Sequence, residues 1–154
     1  MKYHSKAEAL SKLQKYCAYQ ERSHSEVRTK LLNIGQRGKD LEDIMADLIE
    51  QGFLNEERFA IAYTGGKFRM KRWGKNKILQ QLKLRKISDY SIKRSMKQIN
   101  DDDYRQALKD TIEKKWKTVR DTNPLSKKNK VARFCIGRGY EPELVWALLE
   151  KRGN

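Results

Sequence analysis

Three stretches of this chain share one apolar pattern, and the pattern recurs about every fifty residues. In the second helix-like segment of each stretch, Val27 and Leu31 correspond to Ile78 and Leu82, then to Val131 and Cys135. In the third, Ile44 and Leu48 correspond to Ile92 and Met96, then to Val145 and Leu149. The spacings from Val27 to Ile78 and from Ile78 to Val131 are 51 and 53 residues. Internal repetition at such a period signals an array of supersecondary units, each too short to bury its own apolar face well. The period within each stretch is near 3.6, so the units are helical.

Helix boundaries follow from capping chemistry. Ser5 with Glu8 and Ser23 with Glu26 have the capping-box spacing, and Asp40, Asn55 and Ser88 are further N-cap candidates. Pro142 suits a first helical turn, while Gly35, Gly52, Gly137 and Gly139 sit where helices stop. These signals predict helices over about 5–20, 24–34, 40–51, 55–73, 75–86, 89–99, 102–121, 127–137 and 142–151. The segment Thr122–Asn129 reads as a flexible joint. The expected fold is all-α: three tandem three-helix repeats, 1–52, 53–100 and 101–154, stacked through the long fourth and seventh helices. An elongated, curved array of right-handed type follows.

Charge narrows the function. The chain has 154 residues with 35 Lys and Arg against 20 Asp and Glu, a formal net charge of +15. The first repeat is nearly neutral, at +1; the middle repeat carries +10 and the third +4. Nine basic residues and no acid fall between Lys67 and Lys86: Lys67, Arg69, Lys71, Arg72, Lys75, Lys77, Lys83, Arg85 and Lys86. Such a face repels itself unless a polyanion neutralises it, so nucleic acid or a nucleoprotein is the expected partner. On the fourth helix, Phe59, Tyr63, Gly66, Met70 and Trp73 form one stripe and read as the buried face. Phe68 then points away, amid cations, as a candidate exposed aromatic contact for a base or a protein pocket; packing against the next unit is the alternative.

Several chemistries find no support in the sequence. Gly65 and Gly66 before Lys67 lie inside a helical pattern and not after a strand, so they do not make a phosphate loop. His4 and His24 occupy polar stretches and read as solvated. Cys17 and Cys135 read as reduced core thiols, Cys135 because it stands where the other repeats have leucine. No cysteine–histidine cluster, nucleophile motif or group of carboxylates accompanies the basic segment, so neither an enzyme, a metal nor a cofactor is expected. The polar N-terminus, Lys2–Lys6, and the absence of long apolar runs argue against a signal peptide and a membrane span, and a cytoplasmic monomer is expected.

Three segments together carry a family resemblance. They are ALSKLQKYCAYQERSHSEVRTKLLNIG from Ala9, QGFLNEERFAIA from Gln51 and GKFRMKRWGKNKILQQLKLRKISDYSI from Gly66. The marks are Ala9-Leu10, Arg22-Ser23, Glu26-Val27, Lys30-Leu31, the run Gly52–Ala60, Trp73-Gly74 and Leu82-Lys83. The chain resembles the RecX family of regulators of the recombinase RecA, most strongly from Glu21 to Ile92 and less after Asn100. Where the family has paired aspartates after the leucine near residue 54, this chain has Asn55 and Glu56, which also suit a helix start. The resemblance implies an array of three-helix units lying in the groove of a RecA–DNA filament. It implies inhibition of recombinase activity and direct contact with single- or double-stranded DNA. It implies no catalytic residue. A helix-turn-helix-like DNA-binding protein acting without recombinase is one rival reading, and a structural adaptor whose basic surface meets an acidic protein is the second.

Overall fold

The computed structural model describes residues 4–153; of the N-terminal polar segment, residues 2 and 3 lie outside them. Among the described residues there are nine helices and no strand: α1 Lys6–Tyr19, α2 His24–Asn33, α3 Gly38–Glu50, α4 Glu56–Lys71, α5 Lys75–Leu84, α6 Asp89–Met96, α7 Asp101–Thr118, α8 Pro124–Gly137 and α9 Pro142–Arg152.

The starts obey the expected chemistry, with two exceptions. Ser5 makes a full capping box with Glu8. Ser23 accepts from the Glu26 amide, but its own hydroxyl, and not its backbone, donates to the Glu26 carboxylate. Asn55 accepts from the Arg58 amide, and Ser88 from the Ser91 amide. The first exception is α3, which starts at Gly38 with Arg37 as cap, so Asp40 lies in its first turn, favoured there by the helix dipole and not as a cap. The second is the expected joint at Thr122–Asn129. Most of it is helix, because Pro124 takes the first turn of α8 and the Asn123 side chain accepts from the Ser126 amide. Asp121 fastens this start by accepting from the Asn123 amide, the Ser126 hydroxyl and the Lys130 ammonium. These bonds hold its carboxyl well below the usual range.

The described residues fall into two compact units. One comprises residues 1–62 and 82–95, the other residues 63–81 and 96–154. In the first unit α1, α2 and α3 pack on one another over a core that includes Leu13, Val27, Leu31, Ile44 and Leu48, all fully buried. In the second, α7, α8 and α9 do the same over Leu108, Val131, Cys135, Val145 and Leu149. Ile78 and Leu82 of the middle helices are fully buried as well. The recurring apolar positions of the sequence are therefore core positions, except Met96, which is half-buried. Cys135 packs as leucine does elsewhere, and burial pushes its thiol up to about 11, so it stays protonated and inert.

The histidines differ from expectation. Both are half-buried, and His4 Nδ1 and His24 Nε2 are buried without a hydrogen-bond partner. His24 sits in a small recess of the first unit with Glu56 and Arg85, and burial lowers its pKa.

Candidate nucleic-acid interface

Six of the nine basic residues picked out by sequence lie in the second unit, around the turn that joins α4 to α5. The turn is built on a helix end in which the Arg72 amide donates to the Phe68 carbonyl at 3.1 Å and the Trp73 amide to Lys67 at 3.2 Å. This geometry places Arg72 in the left-handed region, at φ 58°. Glycine normally serves there, as Gly35, Gly52 and Gly139 do after α2, α3 and α8. Lys86, after α5, is the other non-glycine residue with positive φ, at 60°.

The turn is then locked onto the end of α8. The Gly74 amide donates to the Arg138 carbonyl at 2.8 Å, and the Asn76 amide to the Gly139 carbonyl at 2.9 Å. A Cβ on Gly74 would fall 2.3 Å from the Gly139 carbonyl carbon, so only glycine lets the two backbones meet. Side chains complete the clamp. The Arg138 guanidinium donates to the Lys71 carbonyl, the Tyr140 hydroxyl to the Arg72 carbonyl, and the Lys75 amide to the Tyr104 hydroxyl. Tyr104 in turn donates to Glu141. Burial first, and this carboxylate second, raise the Tyr104 pKa, so the phenol stays protonated.

The clamped turn presents its cations in two ways. Arg69, Lys71 and Arg72 are exposed. Lys67 and Lys77 both lie against the half-buried Trp73 ring, with their ammoniums 4.8 and 4.5 Å from its centroid. Lys75 is 4.6 Å from the Tyr104 ring and 4.0 Å from the Asp101 carboxylate. The other three predicted residues belong to the first unit. Lys83 and Lys86 are exposed there, and Arg85 is 3.7 Å from Glu26. The nine residues are thus not gathered within one unit.

Of the two readings of Phe68, packing holds and the exposed contact does not. It is only 8% exposed and packs on Tyr104, centroid to centroid 5.9 Å, with Tyr140 a further 5.2 Å beyond Tyr104. It is not an exposed aromatic contact. Met70, placed on the buried stripe by periodicity, is 83% exposed instead. A single stripe assumes one partner along the whole helix. The first part of α4 packs in the first unit and the remainder, from Tyr63, in the second, where Thr64 and Phe68 carry the buried face.

The structure also exposes a feature the sequence reading passed over. Within the second unit, α7, α8 and the end of α4 border an open groove of about 570 Å3. Its cations are Arg72, Lys114, Lys115, Lys117 and Arg138, against two carboxylates, Asp110 and Glu113. Glu113 is already engaged by Arg152. Phe134 lines the groove, with Lys115 Nζ 4.4 Å and Arg138 Cζ 4.9 Å from its ring centroid. Averaging charge over whole repeats hid this concentration. From Lys114 to Arg138 there are nine Lys and Arg and a single acid, Asp121, while acids at both ends of the repeat dilute the total. Among the described residues, no three His, Cys, Asp or Glu side chains are placed to hold a metal ion, and no helix is long and apolar enough to cross a membrane.

Comparison with known proteins gives a consistent set of relatives. Residues 55–96 match the second three-helix domain of RecX, and residues 101–149 match the third. The chain is 32% identical over 132 residues to the regulatory protein RecX of Clostridium tetani, covering 84% of this chain and 60% of that protein. It is 30% identical over 152 residues to the regulatory protein RecX of Clostridium acetobutylicum, covering 96% and 68% respectively. The chain thus spans about 60% of the length of the first of these relatives. In fold it is similar to a crystal structure of regulatory protein RecX, with a TM-score of 0.85 at 21% identity over 95% of this chain and 71% of that one. It is also similar to RecX from Lactobacillus salivarius, with a TM-score of 0.83 at 18% identity over 95% of both chains.

Proposed function

We propose that this chain, which belongs to the RecX family of regulatory proteins, binds the RecA–DNA filament and inhibits the recombinase through the basic face of its middle repeat. The observation that carries the reading is the clamped α4–α5 turn. Arg69, Lys71 and Arg72 stand exposed on a backbone fixed by bonds from Gly74, Asn76 and Tyr140. Cations held rigidly and without a nearby acid in sequence cost self-repulsion, which a polyanionic partner removes. Holding them in place beforehand also lowers the entropy lost on binding.

The reading keeps three repeats, 1–52, 53–100 and 101–154, as the binding modules. An array of that kind touches more than one filament protomer at once, which raises the effective concentration of each contact. The outer repeats then set reach, and the middle one supplies charge.

The test is RecA ATPase on single-stranded DNA, with and without the protein, over a salt series. Inhibition is expected to weaken as salt rises, because neutralised phosphates release counterions. Arg69→Glu with Lys71→Glu should abolish inhibition while circular dichroism stays that of the parent. Salt-independent inhibition, or full inhibition by the double variant, would refute the assignment. Tight, sequence-selective binding to duplex DNA without recombinase would favour a helix-turn-helix-like reader instead.

A further inference from the structure

We infer that the groove between α7 and α8 is a binding site for single-stranded nucleic acid, with phosphates held by Lys114, Lys117 and Arg72 and an unstacked base against Phe134. The inference deepens the reading above, on which it rests only in taking nucleic acid as the polyanion. It places a binding surface in the third repeat, where the sequence indicated little.

Charge gives the first argument. Five cations, Arg72, Lys114, Lys115, Lys117 and Arg138, line the groove against two carboxylates, Asp110 and Glu113, and Glu113 is already held by Arg152. The groove therefore keeps a net positive lining, with cations in excess of carboxylates. Its volume, about 570 Å3, falls in the range of sites that hold a ligand of nucleotide size.

Aromatic placement gives the second. Phe134 in the groove is flanked by Lys115 and Arg138, and Trp116 on the same unit by Lys127 and Arg152, at 4.6 and 4.2 Å. Rings interleaved with cations are what a single strand needs, since every base has a π-face and every nucleotide a phosphate. Lys115 rests on the Phe134 ring and can turn to a phosphate as a base takes its place. A duplex keeps its base faces stacked and cannot use the ring. The carboxylates of an acidic protein would match the cations but leave Phe134 without a planar partner.

Backbone strain gives the third. Arg72 lines this groove from a left-handed position, at φ 58°, where glycine costs less. A strained residue kept at the rim of a charged groove fits a side chain retained for what it binds.

The test is anisotropy of fluorescein-labelled oligothymidylate titrated with the full chain over a salt series. Lys114→Gln with Lys117→Gln should weaken binding at least tenfold and reduce the log–log salt slope by about 1.4, or 0.7 for each phosphate that is no longer neutralised. Phe134→Leu should weaken binding about tenfold and leave the slope unchanged, as removal of one stacked base predicts. Circular dichroism checks folding. If Phe134→Leu fails to fold, the exposed lysine pair still decides. Parental affinity and slope in the lysine variant would overturn the inference, and so would an equal weakening on duplex DNA. Arg69→Glu with Lys71→Glu separates the two readings: if only that variant loses RecA inhibition and the groove variants bind single strands normally, the groove inference fails and the filament reading stands.

Discussion

Replacing Arg72 with glycine is expected to stabilise the protein, although it deletes a whole side chain. Arg72 holds φ 58°, a conformation that costs an L-residue about 1–2 kcal/mol. Glycine adopts it without that cost but loses more entropy on folding, by about 0.5–1 kcal/mol. The bonds that fix the turn run through the backbone and survive. The residue 72 amide still donates to Phe68, and its carbonyl still accepts from Tyr140 at 3.0 Å. The net gain is centred on about 0.7 kcal/mol within a range of about 0–1.5, and the central value raises Tm by about 1.5–3 °C for a chain of 154 residues. Urea unfolding followed by circular dichroism measures the first figure, and a thermal scan the second. Affinity for single-stranded oligothymidylate should fall in the same variant, since a cation leaves the groove. The opposite signs of the two effects are the signature of a residue held in strain for binding. If Arg72→Gly destabilises the fold, the guanidinium has a structural role and the strain argument is wrong.

Three other changes probe the fold around the site. Gly74→Ala puts a methyl 2.3 Å from the Gly139 backbone and should cost about 3 kcal/mol in urea unfolding, with loss of the clamp that holds the basic turn. Tyr104→Phe leaves the Lys75 amide and the Glu141 carboxylate without their shared hydroxyl and should cost about 1–3 kcal/mol. On acidification the first unit should weaken in two stages. Burial lowers the His24 pKa, so its contribution is complete above the ordinary value of 6.5 and is lost as pH falls below it. Burial works to raise the Glu56 pKa, but bonds from Ser91 and Ser88 outweigh it and hold it below 4.5, so that contribution is lost at lower pH still. His24→Gln should remove the upper stage of a stability–pH curve and leave the lower; a curve unchanged by the substitution would show that His24 does not set it.

Much of the fold is legible in the sequence because its signals are local. A capping serine and its glutamate are three residues apart, and the repeated apolar positions need only a period of 3.6, so the nine helices among the described residues and the burial of Val27, Ile78 and Val131 are readable without a partner. The same locality misleads at Thr122–Asn129, which reads as a flexible joint although Pro124 starts a helix there. It misleads again at Phe68 and Met70, because which side of α4 is covered depends on what packs on it.

The concentration of charge between Lys67 and Lys86 is a matter of sequence alone, and so is the family resemblance. Tertiary structure decides which of those cations share a unit. It also brings Gly74 against Gly139 and sets Arg72 beside Lys114 and Phe134, across gaps of 40 to 65 residues. Contacts between residues so distant in the chain have no period and no spacing rule. They arise only when backbones pack closely enough to exclude water, and that is fixed by the whole unit at once.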